Sequence, residues 1–260
     1  MRFWGVVAGA APPLLGLAAP DARAAQLFAE NFEGLALRPF VSGTESDGDG
    51  TDWTDAAPAG WSRNNGTTPG FGPREFFGFT FMDWSSWIAT EMNQERVMFT
   101  RGVGAVMVAD GDAYCDIAEL PADSFNVLMT TPPIPLTNVR PGTAVLHFDS
   151  SFRPRDRMTA TVEVSFDAGS DFDTLLTMTS ANTVGGDDSL GRVDEGISLP
   201  LNNPAGVTDM LIRFGLRNAD NDWWWAIDNI DVQGEAVPEP SSAGVILLGM
   251  AGLVMSGRRR

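Results

Sequence analysis

Apolar and polar residues alternate with a period of two through the middle of the chain, which predicts β-strands. Residues 161–166 alternate strictly, and the same period recurs in 197–202 and 210–217. Residues 103–109 and 145–148 also indicate strands. Because clusters of Gly, Asn and Asp separate these segments, as turns require, the pattern predicts an all-β domain built as an antiparallel β-sandwich.

Three segments depart from this simple pattern. Residues 42–73 are rich in Gly, Pro and Asn and predict a long surface insertion, while 85–99 is ambiguous between helix and irregular structure. In the last predicted strand, 223–232, the apolar positions change parity after Ile227. That change indicates a β-bulge at Asp228.

The C-terminal tail has three parts, each with a physical use. They are the hook Val237, Pro238, Glu239 and Pro240, an uncharged apolar run over 243–257, and the arginines Arg258, Arg259 and Arg260. Proline fixes φ and donates no backbone hydrogen bond, so the hook stays extended. The apolar run can form a hydrophobic helix, but a stable membrane span needs about 20 residues. It therefore predicts a temporary anchor, which the arginines hold on the cytoplasmic side.

The N-terminal residues 1–24 predict a secretory signal peptide with a signal helix. Arg2 is the positive start, an apolar stretch follows, and Ala24 is the small residue before the expected cleavage site. Cleavage there leaves the sandwich domain over 25–236 and the tail over 237–260.

In order, spacing and terminal position, the tail resembles the PEP-CTERM sorting signal of Gram-negative bacteria. The resemblance implies that an exosortase-type protease of the inner membrane processes the tail. It also implies that the C-terminal helix is in the inner membrane only transiently. The protein then reaches the cell surface or extracellular matrix, often with exopolysaccharide. A generic C-terminal anchor is the alternative.

Two motifs resemble the jelly-roll sandwiches of MAM-type and carbohydrate-binding modules. They are Glu30-Asn31-Phe32-Glu33-Gly34 near the start of the domain and Trp225-Ala226-Ile227-Asp228-Asn229-Ile230 in its last strand. The paired cysteines of MAM domains are missing, so the resemblance implies the fold alone. In that fold the first and last strands are neighbours, which would bring Glu33 and Asp228 together.

Composition narrows the chemistry. The formal net charge of −17 and the absence of lysine exclude a nucleic-acid partner, Schiff-base chemistry and a phosphate-binding lysine loop. A single cysteine, Cys115, cannot close an intrachain disulfide. The hydrophobic core must therefore stabilise the fold of the exported domain, and a bound metal ion could add to that stability. We expect Cys115 to be a small, half-buried hydrophobe, with intermolecular pairing as the alternative.

Carboxylates are the candidate metal ligands, since Ca²⁺ prefers several oxygens. The predicted calcium-binding residues are the pair Glu33 and Asp228 and, in a second acidic cluster with Asp116, Asp110 and Asp112. Asp47, Asp49 and Asp52 resemble a calcium loop loosely but lack its later ligands. The alternative for each carboxylate is a solvated turn acid.

Eight tryptophans beside a single tyrosine indicate stacking on sugar rings, because indole buries a large apolar area at little entropic cost. The candidate stacking residues are Trp223, Trp225, Trp84 and Trp87. Alternation places Trp224 on the opposite face of its strand, as a structural residue. The alternative is that both faces of the sandwich cover these rings.

The sequence singles out no catalytic constellation. His147 has no second histidine for a zinc site, no Gly-x-Ser-x-Gly motif is present, and no carboxylate pair stands out. The sequence therefore predicts a non-catalytic exported protein that is structural or binds polysaccharide. A secreted glycan-active hydrolase using an Asp/Glu pair is the alternative.

Overall fold

A computed structural model describes residues 24–41, 49–89, 94–116 and 119–237. Apart from Ala24 and Val237, the predicted signal helix and the predicted sorting tail, Pro238 to Arg260, lie outside these residues. No helix in the described ranges is long and apolar enough to cross a membrane.

Strands dominate the described residues. They are β1 (Ala24–Glu30), β2 (Trp53–Thr54), β3 (Ser62–Asn64), β4 (Thr80–Asp83), β5 (Ala105–Asp110), β6 (Phe125–Thr130), β7 (Ile134–Pro135), β8 (Val145–Phe152), β9 (Thr159–Ser165), β10 (Asp173–Thr179), β11 (Glu195–Pro200), β12 (Asp209–Ala219) and β13 (Trp224–Glu235). The short helices are α1 (Trp84–Ala89) and α2 (Gly111–Cys115), with 3₁₀ turns at Arg74–Phe76, Arg96–Met98 and Ser180–Asn182. The ambiguous segment 85–99 is thus helical at both ends, and 90–93 lies outside the described residues.

The strands form two antiparallel sheets. The first sheet has the order β11-β8-β13-β5-β4-β2, with β1 also paired to β13. The second sheet has the order β10-β9-β12-β6-β3, with β7 also paired to β12. Successive strands β8 and β9 belong to different sheets, as do β12 and β13, so the connections β8–β9 and β12–β13 each cross from one sheet to the other.

The two sheets pack face to face. Alternate side chains of each sheet point into one shared core between them. Phe214 of β12 meets Phe148 of β8 with ring centroids 5.6 Å apart, and Trp225 of β13 at 6.0 Å. Val162 and Val164 of β9 are buried on the same side, as the alternation of 161–166 predicts. Burial of each such side chain contributes roughly 1.5–3 kcal/mol. The predicted all-β sandwich is confirmed.

The pairing of the first and last strands is also confirmed. β1 runs antiparallel to β13, with Glu30 opposite Ile230 and Ala24 opposite Glu235. The predicted bulge is present, since the register between β13 and β8 shifts after Asp228. Asn229 takes a left-handed conformation with φ 51°, which asparagine tolerates better than most residues.

The predicted surface insertion 42–73 needs correction. Residues 42–48 lie outside the described ranges, but the rest adds β2 to the first sheet and β3 to the second. Trp53 is fully buried, and its Nε1 donates to the carbonyl oxygen of Pro39 at 3.0 Å. Trp61 is also buried. This segment therefore helps to close the core and is not only a surface loop.

Candidate functional site

The bulge in β13 and the end of β1 bring Glu33 and Asp228 to one loop. Asp228 Oδ2 accepts a hydrogen bond from the backbone N–H of Val103 at 3.0 Å. Glu33 Oε1 accepts one from the N–H of Ala105, two residues later, at 3.2 Å. The structure thus places together the two carboxylates that the sequence predicts as a calcium pair.

Charge is concentrated at this loop. Asp228 is 1% exposed, and burial first, then the negative charges of Glu33 and Asp149, raise its pKa to about 7. Asp228 Oδ1 accepts from the N–H of Asn229 at 2.7 Å, and Asn229 Nδ2 donates to Asp149 Oδ2 at 3.0 Å. Backbone and amide N–H groups therefore already stabilise part of this negative charge, as a cation also would.

Asp110 and Asp112 do not join that pair. Asp110 pairs with Trp224, four residues before Asp228 on β13, which is roughly 13 Å along the strand. Its Oδ2 accepts from Arg96 Nη2 at 2.8 Å, and both side chains are fully buried. Its Oδ1 caps α2 by accepting from an N–H at 3.1 Å. Asp110 is thus part of a core ion pair, while Asp112 accepts from Gln94 Nε2 at 2.6 Å.

The predicted calcium loop is a compact turn where the structure describes it, and Asp47 lies outside the described residues. Asp52 is buried and accepts hydrogen bonds from Ser86 Oγ at 2.7 Å and from the backbone N–H of Gly50 at 3.2 Å. Asp49 accepts from the backbone N–H of Thr51 at 2.9 Å. Both carboxylates therefore stabilise the chain around β2.

Two of the predicted stacking tryptophans offer no face to a ligand. Trp225 is fully buried between the sheets, and Trp87, a residue of α1, is also fully buried. Trp224 is buried as predicted, but on the other side of the first sheet, where its ring meets that of Trp87 at 5.6 Å. The predicted alternation along β13 is correct. The sequence did not predict that α1 and the turn Arg96–Met98 cover the side of the first sheet on which Trp224 lies.

Trp84 and Trp223 are the predicted stacking residues that keep partial exposure. Trp84 Nε1 donates to a backbone carbonyl oxygen at 2.9 Å. The ring of Trp223 lies 3.8 Å from the guanidinium carbon of Arg153, and its Nε1 donates to Asp188. A cation over an indole face stabilises the ring position by about 0.5–2 kcal/mol.

Beside Trp223 lies an open pocket of about 460 Å³, which sequence reasoning missed. Its lining residues are Ala122, Asp123, Asp156, Arg157, Asp187, Asn218, Asp220 and Asp222. The carboxylates of Asp156, Asp220 and Asp222 approach one another within 4.8 Å. Burial first, and then the charges of Asp220 and Asp156, raise the pKa of Asp222 to about 7. The acidic residues of the turn 218–222 were the only indication of this pocket in the sequence, but their pattern is also typical of an ordinary polar turn.

His147 has one notable neighbour, because its Nδ1 lies 2.7 Å from Ser198 Oγ across β8 and β11. Asp231 is opposite His147 on β13. The carboxylate of Asp231, however, accepts hydrogen bonds from Gln26 at 2.7 Å and Gln233 at 2.6 Å. The pair is exposed on a sheet face, so it lacks the enclosed site that a serine hydrolase needs.

No family model matches the chain, and no curated protein does. Among solved structures, the K1 cleaved adhesin domain of Lys-gingipain from Porphyromonas gingivalis is 14% identical, with 79% of this chain and 96% of that chain covered and a TM-score of 0.47. A Stig cyclase, Fisc from Fischerella sp. TAU, is 13% identical over 83% and 100% of the two chains, with a TM-score of 0.48. TmCBM61, in complex with beta-1,4-galactotriose, is 11% identical over 67% and 88%, with a TM-score of 0.38. Likenesses at this level carry no argument about function.

Proposed function

We propose that the chain is an exported cell-surface or extracellular-matrix protein whose sandwich domain binds polysaccharide without catalysis. The observation that carries this proposal is the partly exposed Trp223 beside the open polar pocket. Trp223 directly follows the pocket residue Asp222, and Asp188, which accepts from Trp223 Nε1, directly follows the pocket residue Asp187, so the ring is held by residues that adjoin the pocket.

This arrangement suits a sugar because sugars present both C–H faces and hydroxyl groups. An indole packs against C–H groups, while carboxylates, an amide and a guanidinium exchange hydrogen bonds with hydroxyls. The pocket supplies the second set through Asp123, Arg157 and Asn218. An open pocket also suits a polymer, since the chain can continue on both sides.

Binding is tested with the full-length chain on a polysaccharide panel. Trp223→Ala should weaken binding to a captured glycan about 5-fold or more, because aromatic stacking contributes roughly 0.5–1.5 kcal/mol beyond the burial of apolar area. Trp84→Ala is the matched control, since Trp84 is also partly exposed but neither it nor its chain neighbours line the pocket. Equal affinities of the wild type and Trp223→Ala would contradict the proposal that Trp223 belongs to a polysaccharide-binding surface.

The alternative function is a glycan-active hydrolase, and the raised pKa of Asp222 favours it. Hydrolysis needs two carboxyl groups about 5–5.5 Å or 6.5–9.5 Å apart, with the substrate between them. The oxygens of Asp156, Asp220 and Asp222 lie within 4.8 Å, closer than either arrangement requires. Release of reducing ends that Asp222→Asn abolishes would establish the hydrolase instead.

The export part of the proposal rests on the tail and the signal peptide. An exosortase-type protease should process the chain after the hook Pro238, Glu239 and Pro240 engages it at the inner membrane. Replacing these three residues with alanine should leave an unprocessed precursor in the native host, measured by mass. Normal processing and surface delivery of that variant would contradict sorting by this tail.

We also propose calcium as a structural ligand of Glu33 and Asp228. A cation between them would offset their repulsion and hold the loop 103–105 to both terminal strands. Binding only to the folded state adds roughly 2.7 kcal/mol at 100 times the dissociation constant. Asp228→Asn should therefore gain less thermal stability from calcium than the wild type does.

A further inference from the structure

Three carboxylates in the pocket beside Trp223 come from two separate connections. Asp156 lies between β8 and β9, while Asp220 and Asp222 lie between β12 and β13. Both connections cross from one sheet to the other. Any group that joins these carboxylates would therefore fix the sheets to each other at this end of the sandwich.

Asp222 carries an unsatisfied oxygen at this point. The residue is 1% exposed, and its Oδ2 accepts from the backbone N–H of Asp220 at 3.1 Å. Its Oδ1 is buried and has no hydrogen-bond donor in the described part of the chain. A buried carboxylate oxygen without a partner is destabilising, because no hydrogen bond offsets the loss of its hydration. The side chain is thus built for a partner that the polypeptide does not supply.

The charge balance favours a divalent cation as that partner. Arg155 Nε lies 3.8 Å from Asp156 Oδ2, so one guanidinium faces three carboxylates. Arg157 is paired with Asp123. Two negative charges of the cluster therefore remain, which one divalent ion would neutralise.

The geometry favours Ca²⁺ among such ions. Oxygens bound to one Ca²⁺ at about 2.3–2.6 Å can lie up to roughly 5 Å apart, and the carboxylate oxygens of the three residues lie within 4.8 Å of one another. Mg²⁺ demands a near-ideal octahedron, whereas Ca²⁺ accepts irregular sets of oxygens such as carboxylates from two loops. All available side-chain ligands are oxygens, which hard cations prefer.

We propose that Asp156, Asp220 and Asp222 form a calcium site that joins the β8–β9 connection to the β12–β13 connection. The site is independent of Glu33 and Asp228 and does not require that the pocket bind polysaccharide. Water completes the coordination on the open side of the pocket.

The site is tested on the chelator-treated, full-length chain with Ca²⁺ and with Tb³⁺ as a luminescent substitute. Trp223 directly follows Asp222, so bound Tb³⁺ should emit when tryptophan is excited, and Ca²⁺ should quench that emission by competition. Asp222→Asn and Asp156→Asn should each weaken Tb³⁺ binding at least about 10-fold. Asp173→Asn, an exposed acid at the start of β10, is the charge-matched control and should bind like the wild type.

Thermal melts give a second readout, which a purely structural role of Asp222 would not move. In chelator Asp222→Asn should melt at or above the wild type, because it removes a buried, unpaired negative charge. In calcium the order should reverse, since the variant has lost its ligand. Asp228→Asn should keep the terbium emission, which separates this site from the Glu33–Asp228 pair.

Either of two terbium results would overturn the proposal: no saturable emission from the wild type, or equal affinity of the wild type and Asp156→Asn. Asp156 is exposed, so its variant should fold even if Asp222→Asn does not. A wild type that melts at the same temperature in calcium and in chelator would also refute it.

Discussion

Several charged residues are buried in this sandwich, and Glu163 is one of them. Glu163 of β9 is 5% exposed, and both of its carboxylate oxygens accept hydrogen bonds from arginines of β12. Arg217 Nη1 donates to Oε1 at 2.8 Å, and Arg213 Nε donates to Oε2 at 2.5 Å. The alternation of β9 predicts that Glu163 faces away from Val162, but not that two cationic partners cover it. Which residues of β12 contact Glu163 depends on the register between β9 and β12, and the sequence of β9 alone does not determine that register.

Replacing Glu163 with Gln should destabilise the domain by about 2 kcal/mol at pH 7, because charge-assisted hydrogen bonds are lost. Burial raises the pKa of Glu163, but the hydrogen bonds from Arg217 and Arg213 outweigh burial and lower it below its usual value. The unfolded chain therefore takes up the proton first as the pH falls. The stability that Glu163 contributes is complete above about pH 5 and is lost as the pH falls through the folded pKa.

Urea midpoints of the wild type and Glu163→Gln at pH 7 and at pH 3 measure this effect. The difference should be large at pH 7 and should shrink at pH 3. Glu119→Gln, at an exposed position, is the control and should match the wild type at both values. A constant difference between the two pH values would contradict the ion-pair explanation.

Cys115 should react slowly with thiol reagents in the folded protein. Burial is the largest cause that raises the pKa of its thiol to about 11. At pH 8 only about one thiol in a thousand is then ionised, against roughly a quarter for a free cysteine with a pKa near 8.5. Alkylation of Cys115 by iodoacetamide should be at least about 100-fold slower than alkylation of free cysteine. When guanidinium unfolds the protein, the rate should rise to that of free cysteine. A folded-state rate within 10-fold of free cysteine would show that Cys115 is accessible.

At the scale of elements, period-two alternation located several of the longer strands, but the sequence analysis did not predict β6 and β10, which have six and seven residues. β9 and β12 appear where 161–166 and 210–217 predict them, and the parity change in β13 correctly located the bulge. The two-residue β2 and three-residue β3 were missed, because elements of that length carry no period. The candidate metal pocket was missed for a related reason: its acids come from two loops that only the sheet pairing brings together.

The tryptophans of β13 provide a test at this scale. Trp224→Ala should cost on the order of 3–5 kcal/mol, because it empties a buried site between β13, α1 and Arg96. Trp223→Ala should be milder, since that ring is partly exposed. Urea melts of both variants, with Trp225→Ala as a second buried position, measure the order. The face assignment is wrong if Trp224→Ala is the mildest of the three.

For the molecule as a whole, the described domain begins and ends at one place. Ala24 is opposite Glu235 in the β1–β13 pairing, so the position of the expected signal-peptide cleavage and the start of the tail are neighbours. The sequence predicted each terminal segment separately and predicted the strand neighbours by resemblance. The register places the expected cleavage position after Ala24 close to the end of β13, and the sequence alone did not predict this proximity.

Deleting residues 25–30 should therefore damage the whole domain and not merely shorten it. The backbone of β13 beyond the bulge would lose its β1 partner, and an unpaired strand edge promotes association with other chains. Phe28 would also no longer pack on Trp61, whose ring centroid lies 6.0 Å away. We expect a loss of at least about 2 kcal/mol in unfolding free energy, together with concentration-dependent aggregation.

Gln26→Ala is the control, because it removes an exposed side chain and leaves the backbone pairing of β1 intact. Urea melts and light scattering at several protein concentrations measure both effects. A deletion variant as stable and as monomeric as Gln26→Ala would mean that β1 is dispensable and that β13 closes the first sheet without it.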